Sequence, residues 1–428
     1  MKWDENSKRS VTTVESASNS DYMRWNMTQD ELQQVLELHR LWLENNTQGK
    51  QADLSGLNLR RVKLRQVDLS KANLSGTDLR GADLLGSKFT DANLTSAKLR
   101  GTNLRRADMV RAKLVGADLS GAKMGTADFS QADLTEADLS WATLRGATLR
   151  AAKLISADLS LADLSTADLT GADFTSADLG ATKLVEADLD NAKLEGANLR
   201  RADLHGAKAT GANFTGASLS SADLSSADLR EAKFTNTKIR AADLRGADLS
   251  GADLTAGDLS GSNLQGAKLV GANLTKAKAR RAFVYRADLG QITAKEVDFS
   301  AANLSGAKFS GANLNGAKFY KADLTRVDLR RADLSQADIS RTDLTGANLS
   351  GAFLYQADLS RAKLYTANLT GANLSEANLN LAGLFATNLS GANLSGADLT
   401  EAEFNGANLQ GTDLSGIKGV DAAKLTRG

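Results

Sequence analysis

Residues Ala247–Leu254 read ADLSGADL, and this octet already contains the whole fold problem. A small residue, a polar residue and Leu are followed by two variable residues, and the same five begin again. The register opens at Leu54, Leu59, Leu64 and Leu69 and closes at Leu399, Phe404, Leu409 and Leu414, about 73 units without a one-residue slip. A period of five does not suit an α-helix, because an apolar residue every five positions advances ~140° per unit and smears around the surface. In an extended segment, however, the small residue and the Leu two places on point to the same side. Each unit therefore reads as a very short strand with two inward side chains. The Ser, Thr, Gly and Asn that fill the variable places supply the turn.

Charge sets how many units close one coil. Stacked strands lie ~4.8 Å apart, so vertical neighbours should avoid like charges. At a spacing of 20 residues the Lys of the polar position repeatedly meet Asp and never another Lys. Lys98 lies between Asp78 and Asp118, and Lys278 between Asp258 and Asp298. At 15 residues, Lys98 coincides with Lys113 and Lys193 with Lys208. Four units per coil is the better reading, which gives roughly 18 coils and a rod on the order of 90 Å.

The repeat A(D/N)LXX, as in Ala247–Leu254 and in ANLSGADL at Ala392–Leu399, resembles that of the pentapeptide-repeat family. The resemblance covers about residues 50–418. It implies an all-β solenoid, a right-handed quadrilateral β-helix with Leu or Phe and the preceding Ala in the interior. For function it implies either a scaffold or, as in some members, imitation of duplex DNA toward type II topoisomerases such as DNA gyrase.

Composition narrows the function. Lys and Arg total 52 against 51 Asp and Glu, a net charge of +1 that calls for neither nucleic acid nor an anionic membrane. It also departs from the strongly negative surface a DNA mimic needs. The absence of Cys excludes disulfides and thiolate chemistry, and the absence of Pro suits a ladder that needs its N–H donors. The first residues, MKWDENSKRS, lack the apolar core of a signal peptide, and no apolar run reaches the ~18 residues of a membrane span. The expectation is a cytoplasmic protein.

The ends need covers. Thr28 and Glu31 make a capping box, and Leu32, Val35, Leu36, His39, Trp42 and Leu43 follow helical spacing. This predicts a helix over about 29–46 within an N-terminal cap at 28–49, with Gly49 near its stop. Residues 1–27 read as a disordered tail, although Trp3, Tyr22, Met23 and Trp25 there suit either docking or packing on the cap. At the other end only a short tail, 419–428, follows the repeats, with Asp421–Leu425 long enough for one helical turn. Either that lid suffices or the last coil meets a second chain in a homodimer.

Catalysis finds no constellation. The two His, His39 on the cap and His205 at a turn, lack a nucleophile, and no phosphate loop accompanies the Gly. No cofactor, metal or small-molecule substrate is called for. The expected function is a non-enzymatic scaffold that meets a protein partner, with nucleic acid disfavoured.

Three surface features stand out. A basic stripe holds Arg60, Arg61, Arg80, Arg100, Arg200, Arg201, Arg240, Arg280, Arg281, Lys321, Arg341 and Arg361, with Glu401 as its only acid. With the ladder beside it the face sums to about +5. A second column carries Tyr285, Tyr365 and Phe385, the last two expected to stack, with Phe353 and Tyr355 expected on the adjoining face. Third, from Lys278 the chain reads KARRAFVYRADLGQITAKEVDF: Ala279, Val284 and Ala294 stand where Leu is expected and Phe283 where Asp is. The five-residue count survives, so this reads as a repacked core. The alternative is an interface, because Arg280, Arg281, Tyr285 and Arg286 point outward together.

Overall fold

The computed structural model describes residues 27–420. Within them the polar residue of each unit bridges in parallel to the residue twenty places on. Asp53 pairs with Asn73, Asn58 with Asp78, Lys63 with Asp83 and Asp68 with Lys88, and the pattern continues to Asp398 with Lys418. Four walls result, begun by the units of Leu54, Leu59, Leu64 and Leu69 and called here first to fourth.

The wall is narrow because every unit ends in the same turn. The Leu54 carbonyl accepts the Leu57 N–H at 3.3 Å, and Gly56, third residue of that turn, has φ +66°. A positive φ at the third residue is the mark of a type II turn, which favours Gly. Many units put another residue there, among them Arg61, Trp141, Leu161, Arg281 and Arg286 with φ between 54° and 61°. A long side chain at this corner lies over the next coil, where a Gly makes room. A Cβ on Gly81 would stand 3.6 Å from Arg61 Cγ, and one on Gly306 the same distance from Arg286 Cγ.

The Asp or Asn of the polar position supports the turn directly. Asp53 Oδ1 accepts the Ser55 N–H at 3.2 Å and its hydroxyl at 2.7 Å, and Asp133 does the same for Thr135. Lys cannot accept a bond, so it enters the ladder on charge alone. Its pairings are loose: Lys88 with Asp68 at 3.9 Å, Lys193 with Asp173 at 3.6 Å and Lys308 with Asp288 at 3.5 Å, all on exposed ground where an ion pair adds ~0–1 kcal/mol. The sequence alternation reflects avoidance of Lys on Lys more than strong pairing.

The shaft is filled by the central Leu or Phe and the small residue, nearly all fully buried. Where the small residue is Thr, its hydroxyl is satisfied by a carbonyl, one coil back for Thr77 to Leu54 at 2.8 Å and Thr237 to Phe214 at 2.7 Å, and three residues back for Thr342 to Ile339 at 2.7 Å. Core volume is balanced between coils. Phe299 follows Ala279 one coil later on the second wall, stacks on Phe319 at 5.6 Å and meets Phe309 from the opposite wall edge-on at 6.0 Å. Ala279, Val284, Ile292 and Ala294 are themselves buried. The irregular stretch is thus a thin coil next to a thick one. The same exchange occurs at Ala209, where Phe214 and Phe234 stack at 4.8 Å.

At the N-terminal end helix α1, Gln29–Leu43, begins with the expected capping box between Thr28 and Glu31. It ends differently from the expected stop. Asn45, not Gly49, takes the left-handed position (φ 58°), with Asn46 N–H bonded to Leu41 O and Asn45 N–H to Trp42 O, a Schellman arrangement. Leu32 and His39 are buried, and the Ala52 N–H donates to His39 Nδ1 at 3.1 Å, which ties the helix to the first coil. In that coil Leu54, Leu59, Leu64 and Leu69 are all buried, whereas at the far end Phe404, Leu409, Leu414 and Ile417 are only partly so. The aromatic and apolar residues noted at 1–26, and Asp421–Leu425, lie outside the described residues.

Candidate interaction surfaces

Among the described residues no three His, Asp or Glu converge as metal ligands. His39 is a packing residue, stacked on Trp42 at 5.6 Å, and burial lowers its pKa. His205 sits at a corner with Nδ1 2.9 Å from Ser225 Oγ.

The basic stripe runs along the corner between the second and third walls, and the structure divides it in two. Side chains leaving the first turn residue reach the second-wall carboxylates. Arg60 and Arg80 both meet Asp78, at 3.4 and 2.5 Å, Arg240 meets Asp258 at 2.6 Å and Arg280 meets Asp298 at 2.5 Å. The Arg80 side chain is also the first cause holding the Asp78 carboxyl below its usual range. Among the described residues, Arg100 and Arg200, in the same column, have no carboxylate within ion-pair distance, nor do Arg61, Arg201, Arg281, Lys321, Arg341 and Arg361 in the second. Asp and Arg eighteen residues apart, or two apart as at Asp78 and Arg80, thus remove part of a stripe that reads continuous in sequence.

The aromatic residues do not form one patch. Phe353 and Tyr355 lie on the first wall and the corner after it, while Tyr365 and Phe385 lie on the corner after the third wall. The register therefore puts them on opposite sides, not on adjoining faces. Nor do Tyr365 and Phe385 stack. The Tyr365 ring covers Gly383, whose Cβ would stand 2.5 Å from Tyr365 Cε1, and leaves Phe385 exposed. Tyr355 is braced by Glu376, its O–H at 3.4 Å from Oε2, while Gln356 donates to the same oxygen at 2.9 Å. Desolvation first, and then the Glu376 carboxylate, raise the Tyr355 pKa.

The irregular coil presents the most concentrated arrangement. Arg280 and Arg281 stand at one corner of the third wall, Phe283 in its middle, and Tyr285 and Arg286 at the other corner. Phe283 takes a ladder place between Asn263 and Asn303, and Arg286 lies over the Tyr285 ring at 4.8 Å. A shallow groove continues past Tyr285 and Arg286 to Thr325 and Arg326. Two coils along, Lys321 lies over Tyr320 at 5.2 Å.

Sequence reasoning missed Trp141 and Leu161, vertical neighbours at left-handed corner positions, both exposed. The signal was present: Trp and Leu stand at a turn place given mostly to Gly, Ala or a polar residue. Beside them runs a second-wall ladder of Asp118, Asp138, Asp158 and Asp178 without an intervening Lys.

A family model described as pentapeptide repeats matches eleven segments from 50–86 to 377–416, leaving only 256–257 and 293–297 unmatched in that span. The second gap falls on Ala294. Among solved structures, the chain is similar to HetL of the cyanobacterium Nostoc sp. strain PCC 7120, a pentapeptide repeat protein involved in heterocyst differentiation regulation. Identity is 34%, over 51% of this chain and 89% of that one, at a TM-score of 0.30. Rfr23 of the cyanobacterium Cyanothece 51142 is 41% identical over 22% and 61%, at 0.14. QnrB1, a plasmid-mediated fluoroquinolone resistance protein, is 21% identical over 46% and 93%, at 0.19. No curated protein matches.

Proposed function

Because the chain belongs to the pentapeptide-repeat family, we propose that it is a non-enzymatic rod that binds other proteins through its flat faces. The rod has roughly 18 coils of ~4.8 Å, with α1 covering one end. One observation carries this reading: four large rings are kept in solvent, Trp141 67% exposed, Phe283 and Phe385 54%, and Phe353 52%. Their neighbours in the same columns are mostly small or polar residues, so no demand of the repeat places them there. Exposed aromatic rings are the usual anchors of protein interfaces. The partly buried apolar residues of the last coil support a second contact, end to end with another copy. The cytoplasm is the compartment proposed for both.

The test is crosslinking capture from extract with the tagged full-length chain and with a variant carrying Trp141→Ser, Phe283→Asn, Phe353→Asn and Phe385→Ser. The expected result is a partner enriched by the first and lost by the second. Enrichment of nothing above a tag control, or an identical set with both, would overturn the reading.

A second reading, DNA mimicry toward a type II topoisomerase, has one observation in its favour, the uninterrupted ladder Asp118, Asp138, Asp158 and Asp178. A supercoiling assay with DNA gyrase separates it: inhibition at low micromolar protein would promote it above the first.

A further inference from the structure

We infer that the third-wall face spanned by Arg281, Phe283, Tyr285 and Arg286 binds an acidic, extended segment of a partner protein that lays an apolar side chain on Phe283. The inference rests on the interaction reading above and assigns that reading a place and a partner chemistry.

Charge is the first argument. From residue 260 to 306, the third wall and its two corners hold no Asp or Glu, although the same wall carries Asp203, Asp223 and Asp243 before this stretch and Asp323 and Asp343 after it. Of the three cations inside, Arg280, Arg281 and Arg286, only Arg280 has a carboxylate partner among the described residues, Asp298 on the neighbouring wall. Arg281 and Arg286 stand exposed at the two edges of the face with no carboxylate between them. Exposed cations without counter-charge complement an acidic partner and repel a basic one.

Shape is the second. Asn263 and Asn303 above and below Phe283 are shorter and less exposed, so the ring rises from a flat floor. Gly261, Gly266 and Gly306 keep the adjoining corners low, and a strand-like segment can cross without obstruction. Such a segment would set its carboxylates toward Arg281 and Arg286 and its apolar side chain on the ring.

Nucleic acid fits less well. One face of the Tyr285 ring is already covered by Arg286 and one of the Tyr320 ring by Lys321, which halves the stacking surface each could offer a base. A phosphate backbone running along the rod would meet Asp323 and Asp343 within the next coils.

The test uses the full-length protein and fluorescence anisotropy of a short labelled peptide alternating Glu with Leu. Controls are an all-Glu peptide, a Lys–Leu peptide and a single-stranded oligonucleotide. The Glu–Leu peptide should bind best. Phe283→Asn, which restores the residue of its ladder neighbours and leaves charge unchanged, should weaken it about tenfold or more. Arg281→Gln with Arg286→Gln should weaken it comparably and flatten its salt dependence, whereas Arg60→Gln with Arg61→Gln, the same charge change elsewhere, should not. Three outcomes overturn the inference: tighter binding of the oligonucleotide, equal loss from the Arg60 and Arg61 pair, or indifference to Phe283→Asn. If the peptide does not bind but crosslinking still captures a partner through the other rings, this face is wrong and the interaction reading stands. If capture fails as well, that reading falls too.

Discussion

Gly49 lies against the backbone of Trp42: a Cβ on Gly49 would come within 2.1 Å of the Trp42 amide nitrogen. The chain leaving α1 doubles back along the helix here, with Lys50 N–H bonded to Leu38 O at 2.9 Å. Backbone cannot yield as a side-chain tip can. Gly49→Ala should therefore lift the helix from the first coil at a cost of about 1–3 kcal/mol. Hydrogen exchange would show faster opening over the first coils and little change at the centre of the rod.

His39 should make the same end sensitive to mild acid. Burial lowers its pKa from 6.5, against the opposing pull of the Ser70 backbone and the Asp68 carboxylate, so the folded chain takes up this proton less readily than the unfolded one. Its contribution to stability is whole above about pH 6.5 and declines as pH falls below that toward the folded value. Urea melts at pH 7.5 and 5.5 should differ for the native chain and converge for His39→Gln.

Ala279 and Phe299 should be energetically coupled. Ala279→Leu alone crowds the wall below a Phe and should cost about 1–3 kcal/mol, while Phe299→Leu alone leaves a void and should cost a similar amount. In the double variant the two changes offset each other, and a double-mutant cycle should return a coupling of ~1 kcal/mol or more. Simple additivity would show that the thin and thick coils are independent.

Trp141→Gly should stabilise the rod. Trp141 holds φ +60° with its side chain in solvent. Relief of the left-handed strain outweighs the added flexibility of Gly by up to about 1 kcal/mol. A rise in the melting midpoint, with capture of any partner that uses this ring lost, would set stability against function at one residue.

The partly buried last coil predicts assembly. Leu414→Glu, on the partly buried last coil, should leave the fold intact and shift sedimentation from a concentration-dependent dimer to a monomer. A native chain that sediments as a monomer at all concentrations would end the end-to-end proposal.

Most of the architecture was legible because a fixed five-residue register and a charge rule at twenty residues are one-dimensional facts. The Thr28–Glu31 cap was legible for the same reason, being local. What escaped depends on the third dimension. Whether Arg60 and Arg240 are free is decided by Asp residues eighteen places on, in the next coil. Tyr365 turned out to cover Gly383 and not to meet Phe385, because the missing side chain offered it a closer surface. Trp141 is the exception, because a Trp at a turn place mostly given to Gly or a polar residue is visible in the one-dimensional register.

The twenty-residue bridge also governs what length changes this gene can tolerate. Loss of a whole coil would shorten the particle and leave every column aligned. Loss of a single five-residue unit would preserve the turns and the interior yet swing everything downstream through a quarter revolution, so that Trp141 and Phe283 would no longer be reached from the same direction. Natural variants should therefore differ in multiples of twenty wherever two distant patches must be grasped together.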